Sequence, residues 1–213
     1  MITKKRIAII LISLAVFTFI AVNVARYEFL DFDTVIRTWV YSQRTDFLNS
    51  IIIPITYSGN VQTVVLIGVI LILWKTTRKT YGIPFAVVSL SSTVVYKLVK
   101  SLFKRPRPEL AVRIIEQGGY SFPSGHSMNC LVCYGFLIYL INRYCENKKL
   151  ARTLTVILTL LIICIGLSRV YVGVHFPTDI LGGWSLGMAY LIVAIIVYER
   201  IHKPTDICNR LIV

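Results

Sequence analysis

Apolar residues run in blocks of about the length that crosses a bilayer, separated by short polar segments. The first block extends from Ile7 to about Val24 behind Lys4, Lys5 and Arg6. A second runs from about Ile51 to Trp74, interrupted at Pro54 and at Ser58-Gly59-Asn60, where a helix start or kink is expected. A third covers about Gly82 to Leu98, a fourth begins near Ser124 and ends at Tyr144, a fifth follows Arg152 to about Leu167, and a sixth starts near Pro177 and reaches Tyr198. A helix needs about 20 residues to cross the hydrocarbon. The pattern predicts an all-α, polytopic membrane protein of six transmembrane helices, with 1–213 forming one domain.

Between the first two blocks, Ala25 to Ser50 mixes charges of both signs with Tyr27, Trp39 and Tyr41. Its apolar positions Phe29, Phe32, Ile36 and Val40 recur every three or four residues, the period of a helix with one buried stripe. That predicts a short interfacial helix in the first outer loop. The N-terminal block resembles a signal peptide, yet five further spans need no cleaved leader, so a retained first helix is expected. In the sixth block Gly183 and Gly187 form a small-xxx-small pair suited to close helix packing.

Composition agrees. Of 213 residues, 56% are hydrophobic and 15% charged, with a formal net charge of +13. The cations cluster at block ends rather than in one stripe, which argues for membrane topology and against nucleic acid. Placing both termini in the cytoplasm gives the inner segments thirteen Lys and Arg against three acids, and the outer segments nine against seven. Of the five cysteines, Cys130, Cys133 and Cys164 lie in apolar blocks and Cys145 and Cys208 in or beside cationic segments, so no disulfide framework is expected. Nothing in the chain sets an oligomeric state.

Polar residues break the pattern in two stretches assigned to the extracytoplasmic side. Lys100, Lys104, Arg105, Arg107 and Arg113 make the connection after the third block strongly basic, against the topological bias, which points to an anionic ligand. Lys100, Arg107 and Arg169 could surround the non-bridging oxygens of a phosphoryl group. Pro123-Ser124-Gly125-His126 opens the fourth block, where a helix start offers free N–H groups, a hydroxyl and a glycine that admits an anion closely. Ser124 serves equally as a plain N-cap. His175 and Asp179 are four apart at the start of the last helix, so they share a face, and Asp179 can orient the imidazole for attack on phosphorus. His126 can protonate the leaving oxygen and then activate water. His126, His175 and Asp179 also match a two-histidine, one-carboxylate metal set; the surrounding cations disfavour it, and no metal or cofactor is expected.

Lys100 to Arg107-Pro108, Pro123-Ser124-Gly125-His126, and Ser168-Arg169 to His175 with Asp179, in that order, resemble the type-2 phosphatidic acid phosphatase superfamily of membrane lipid phosphatases. The resemblance implies phosphate contacts by Lys100, Arg107, Ser124, Gly125, His126 and Arg169, with His175 the nucleophile, His126 the acid and Asp179 the orienting group. The small size looks like the bacterial branch, which includes phosphatidylglycerophosphate and undecaprenyl pyrophosphate phosphatases. Phosphatidylglycerophosphate is the first expected substrate and undecaprenyl pyrophosphate the alternative. An anionic-lipid transporter or flippase is the rival from another class, though it would not need His175 with Asp179.

Overall fold

The structure, a computed structural model, describes residues 2–27 and 30–202. Phe29, Cys208 and the basic tail from Lys203 lie outside the described residues. Among the described residues eight α-helices follow in order: α1 (Lys4–Arg26), α2 (Asp31–Ser42), α3 (Asp46–Tyr57), α4 (Val61–Leu73), α5 (Ile83–Phe103), α6 (Gly125–Tyr144), α7 (Lys148–Tyr171) and α8 (Pro177–Ile201). A π-helical turn, Arg78–Gly82, leads into α5.

By length and apolarity, Lys4–Arg26, Arg78–Phe103, Lys148–Tyr171 and Pro177–Ile201 can cross a membrane. The pair α3 and α4 is bent by 51° and can make a fifth span. Their break falls on Ser58-Gly59-Asn60, as the sequence predicts, while Pro54 sits inside α3. The predicted fourth block is a helix, α6, but it is not apolar enough to count with these spans, for a physical reason. It packs against α5, α7 and α8, burying Ser127, Met128, Cys130, Val132, Cys133, Tyr134, Phe136 and Leu140. A helix surrounded by protein can carry small polar residues where a lipid-facing one carries leucine.

At the site end of the bundle α5 and α7 run past their predicted ends. α5 extends one turn beyond Leu98, so Lys100 stands on the helix, and it stops at Lys104, whose φ of 49° is left-handed. Pro106 and Pro108 then prevent continuation. α7 extends past Leu167 to Tyr171, making Arg169 a residue of its last turn.

The expected helix in the first outer loop is α2, but its stripe differs from expectation. Phe32 is exposed and Ile36 and Val40 are half-buried, whereas Asp33 is fully buried. The small-residue pair behaves as predicted. A Cβ on Gly183 would come within 2.7 Å of the Ser124 carbonyl oxygen, and one on Gly187 within 3.1 Å of that of Met128, so α8 lies directly on the backbone of α6.

The start of α1 meets the end of α8: Arg6 donates to both carboxylate oxygens of Glu199 at 2.6 and 2.8 Å. At the other end of the bundle, Ile20, Ala21 and Val24 of α1 pack on Phe122. That second end gathers the C-termini of α5 and α7, the N-termini of α6 and α8, and the connections 104–124 and 172–176.

Candidate active site

A cavity of about 390 Å³ opens at this end between the α3–α4 break, α5, α6 and the connection after α5. Of the predicted site residues, Lys100, Arg107, Gly125, His126 and His175 line it. Ser124, Arg169 and Asp179 are fully buried behind its wall.

His175 sits between α7 and α8. Gly173, at φ 78°, allows the chain to turn there: a Cβ would collide with the carbonyl oxygen of Val112. The ring is fixed from both sides. Nδ1 lies 3.1 Å from Asp179 Oδ2, and Nε2 lies 3.0 Å from Arg107 Nη1. A carboxylate accepts and a guanidinium donates, so Nδ1 carries the proton and Nε2 presents its lone pair toward Arg107. Burial, followed by the charges of Arg107, Lys100, Arg169 and His126, holds this imidazole well below its ordinary value of 6.5. It is neutral at physiological pH, the state a nucleophile needs.

Arg107 also donates from Nη1 to the Val174 carbonyl at 2.8 Å and from Nε to those of Gly118 and Gly119 at 3.2 and 3.0 Å. Burial lowers its guanidinium to about 10, which leaves it charged at neutral pH. Lys100 donates from Nζ to the carbonyls of Tyr120 and Ser121 at 2.8 and 3.4 Å. Arg169 donates from Nη1 to Thr56 Oγ1 at 2.7 Å and from Nη2 to Gln117 Oε1 at 2.9 Å. Among the described residues its Nε is buried without a hydrogen-bond partner.

Ser124 caps α6, its hydroxyl oxygen accepting from the Ser127 N–H at 3.3 Å and the Ser127 hydroxyl at 3.0 Å. Its own N–H donates to the Asp179 carbonyl at 3.0 Å, which ties the starts of α6 and α8 together. His126, in the first turn, places Nε2 at 2.8 Å from Asn60 Oδ1.

Asp179 belongs to a buried network whose other charged members were not predicted. Its Oδ2 accepts from the Phe176 N–H at 2.9 Å as well as from His175. Its Oδ1 accepts from Arg105 Nη1 at 2.7 Å. Arg105 Nη1 also reaches Thr178 Oγ1 at 2.9 Å, and Nη2 reaches Asp33 Oδ2 at 2.8 Å. Asp33 in turn caps α8, accepting from the Thr178 N–H at 2.8 Å and the Thr178 hydroxyl at 2.7 Å.

Arg105, predicted as part of an anion-binding basic loop, is therefore turned inward. Two carboxylates flank it and the Phe176 ring lies 4.1 Å from its carbon Cζ. Arg113 likewise bonds within its own loop, to the carbonyls of Pro108 and Gln117. Asp33 left one sequence signal: it lies four residues from Phe29 and three from Ile36, a carboxylate on an otherwise apolar helical stripe. Among the described residues, no group of three or more His, Cys, Asp or Glu is placed to hold a metal ion.

The sequence pattern of the PAP2 superfamily matches residues 81–203. The chain is 33% identical over 154 residues to phosphatidylglycerophosphatase B of Bacillus subtilis, covering 68% of this chain and 72% of that one. It is 30% identical over 145 residues to an undecaprenyl-diphosphatase of Sulfolobus acidocaldarius, covering 66% of each. The crystal structure of a transmembrane PAP2 type phosphatidylglycerolphosphate phosphatase from Bacillus subtilis superposes with a TM-score of 0.78 at 27% identity, over 95% of this chain and 100% of that one.

Proposed function

The chain belongs to the PAP2 superfamily, a membrane hydrolase among lipid phosphatases, and from that premise we propose that it releases phosphate from phosphatidylglycerophosphate at the extracytoplasmic face. The observation that carries this reading is the ring of His175, held at Nδ1 by Asp179 while Nε2 faces Arg107 in the cavity that also holds His126. The membrane arrangement proposed with it has six spans, counting α6 and the bent pair α3–α4, with both termini cytoplasmic and α2 lying in the outer interface. The meeting of Arg6 with Glu199 supports it, since it puts the start of α1 and the end of α8 on one side.

In this mechanism Nε2 of His175 attacks phosphorus as the bond to the lipid oxygen breaks. His126, as imidazolium, gives that oxygen its proton. The phosphorylated imidazole keeps its Nδ1 proton on Asp179, whose charge steadies the positive ring. Neutral His126 then removes a proton from water as the water oxygen attacks phosphorus and the N–P bond breaks, returning both histidines to their starting states.

Lys100, Arg107, Arg169 and the Gly125 N–H end of α6 supply positive charge to the phosphoryl oxygens. The unpartnered Nε of Arg169 is a buried donor that an arriving anion can satisfy. Ser124 shapes that helix start as its cap. These cations neutralise the phosphate without a metal, and the cavity lies at helix ends, where a headgroup can enter while its tails stay in lipid.

The test is phosphate release by purified protein in detergent, comparing phosphatidylglycerophosphate, phosphatidate and undecaprenyl pyrophosphate at matched surface concentration, with and without EDTA. EDTA-resistant release fastest from phosphatidylglycerophosphate is expected. A clear preference for undecaprenyl pyrophosphate would reassign the substrate within the same chemistry. Folded, lipid-binding protein that releases phosphate from none would move the reading to anionic-lipid transport.

A further inference from the structure

Resting on the phosphatase reading, we infer that Asn60 is the positioning residue for His126: its Oδ1 accepts a hydrogen bond from Nε2–H and holds the ring so that the Nδ1 proton of the imidazolium is the one given to the leaving oxygen.

The first observation is a cap that does not cap. Asn60 occupies the N-cap position of α4 with φ −70° and ψ 155°, yet its side chain makes no bond to the first turn of that helix. Asparagine is among the preferred N-cap residues because its oxygen ordinarily satisfies those N–H groups. Here Oδ1 lies 2.8 Å from His126 Nε2 instead.

The second is a ladder along α6. His126, Cys130 and Tyr134 are spaced four apart on one helical face, and they meet Asn60, Gly59 and Ser58 in turn. Tyr134 donates its hydroxyl to the Ser58 carbonyl at 2.7 Å, and Cys130 Sγ lies 3.7 Å from the Gly59 carbonyl. A Cβ on Gly59 would stand 2.6 Å from Ile165 and 3.2 Å from the His126 ring. The helix that carries the acid thus grips the break that carries Asn60, with no spare space between them.

The third is chemical. The charged groups facing His126 are Lys100 from α5, Arg107 from the following connection and Arg169 from α7, with the titratable but neutral His175 from the connection before α8. An imidazolium among them needs an acceptor, but a carboxylate would repel the phosphate the cavity must take. A neutral amide oxygen meets both requirements. The two histidines accordingly have different partners, a carboxylate for the nucleophile and an amide for the acid.

The test compares kcat/KM, which reports steps up to leaving-group departure, for a lipid phosphate and for p-nitrophenyl phosphate, whose leaving group departs without a proton. Asn60→Ser keeps a capping residue but is too short to reach His126. It should lower kcat/KM for the lipid phosphate by about tenfold or more, with a far smaller loss for the aryl phosphate. The basic limb of the lipid profile should move to lower pH, because an imidazolium without its acceptor loses its proton sooner. Asn60→Asp should move that limb to higher pH while weakening lipid-phosphate binding.

Equal losses on both substrates with an unmoved basic limb would overturn the inference and leave Asn60 a structural residue, as would unchanged kinetics. Matched thermal midpoints of the two variants and wild type exclude misfolding as the cause. Wild-type protein inactive on both substrates would instead overturn the phosphatase reading.

Discussion

Nη1 of Arg107 lies 3.0 Å from Nε2 of His175, so the lone pair proposed to attack phosphorus rests on the guanidinium proposed to hold the phosphate. An arriving phosphoryl group would take the place of this contact, its oxygens accepting from Arg107 and its phosphorus facing Nε2. Removing the guanidinium loses a charge-assisted contact, so Arg107→Gln should lower kcat/KM by roughly ten- to a hundredfold.

The same substitution has a pH signature. Burial first, then Arg107 and its neighbouring cations, depress the His175 pKa, and only the neutral ring attacks. Activity in wild type is therefore retained well below pH 6.5 and lost only when His175 finally protonates. Without the Arg107 charge that pKa rises toward its ordinary value, so the acidic limb of kcat/KM against pH should move to higher pH. A limb that stays in place, or moves lower, would argue against His175 as the titrating nucleophile.

Asp179→Asn removes the carboxylate that fixes the Nδ1 proton of His175 and would balance the charge on its phosphorylated ring. An amide can present its N–H to Nδ1 and select the wrong tautomer. kcat should fall by roughly two to four orders of magnitude with a much smaller change in KM, by analogy with carboxylates that orient histidines in hydrolytic triads. A raised KM with unchanged kcat at saturation would contradict this role.

Arg105→Met should act mainly on stability. Two buried carboxylates, Asp33 and Asp179, would then face each other without their shared cation. Breaking a buried pair by removing one partner costs about 3–5 kcal/mol, visible as a lowered thermal midpoint in detergent. An unchanged midpoint would show that the network is not structurally important.

Much of the fold was legible because it is written in local pattern. The block lengths gave the helices, the Ser58-Gly59-Asn60 interruption gave the bend, and Gly183 with Gly187 gave the contact of α8 with α6. The gathering of Lys100, Arg107, His126 and His175 around one cavity follows from helix ends that meet at one end of the bundle. What escaped depends on approach in three dimensions. Asn60 meets His126 across 66 positions, and Asp33 meets Thr178 across 145. Nothing local distinguishes Arg105, turned into the protein between two acids, from Arg107, turned to the cavity two residues later. Of the loop cations, Lys100 and Arg107, the two named as phosphate contacts, line the cavity. The low apolarity of α6 has the same origin, since its neighbours are protein rather than lipid.

The most direct measurement is to trap the phosphoryl group on the enzyme. His126→Ala should still be phosphorylated by p-nitrophenyl phosphate, which needs no acid for departure, but should dephosphorylate slowly for want of a base. After an alkaline quench, which preserves phosphohistidine, peptide mass spectrometry should find the phosphoryl group on His175, alongside a burst of nitrophenol that precedes phosphate release. Phosphate released in step with nitrophenol and no phosphorylated His175, or a phosphoryl group on any other residue, would contradict His175 as the nucleophile.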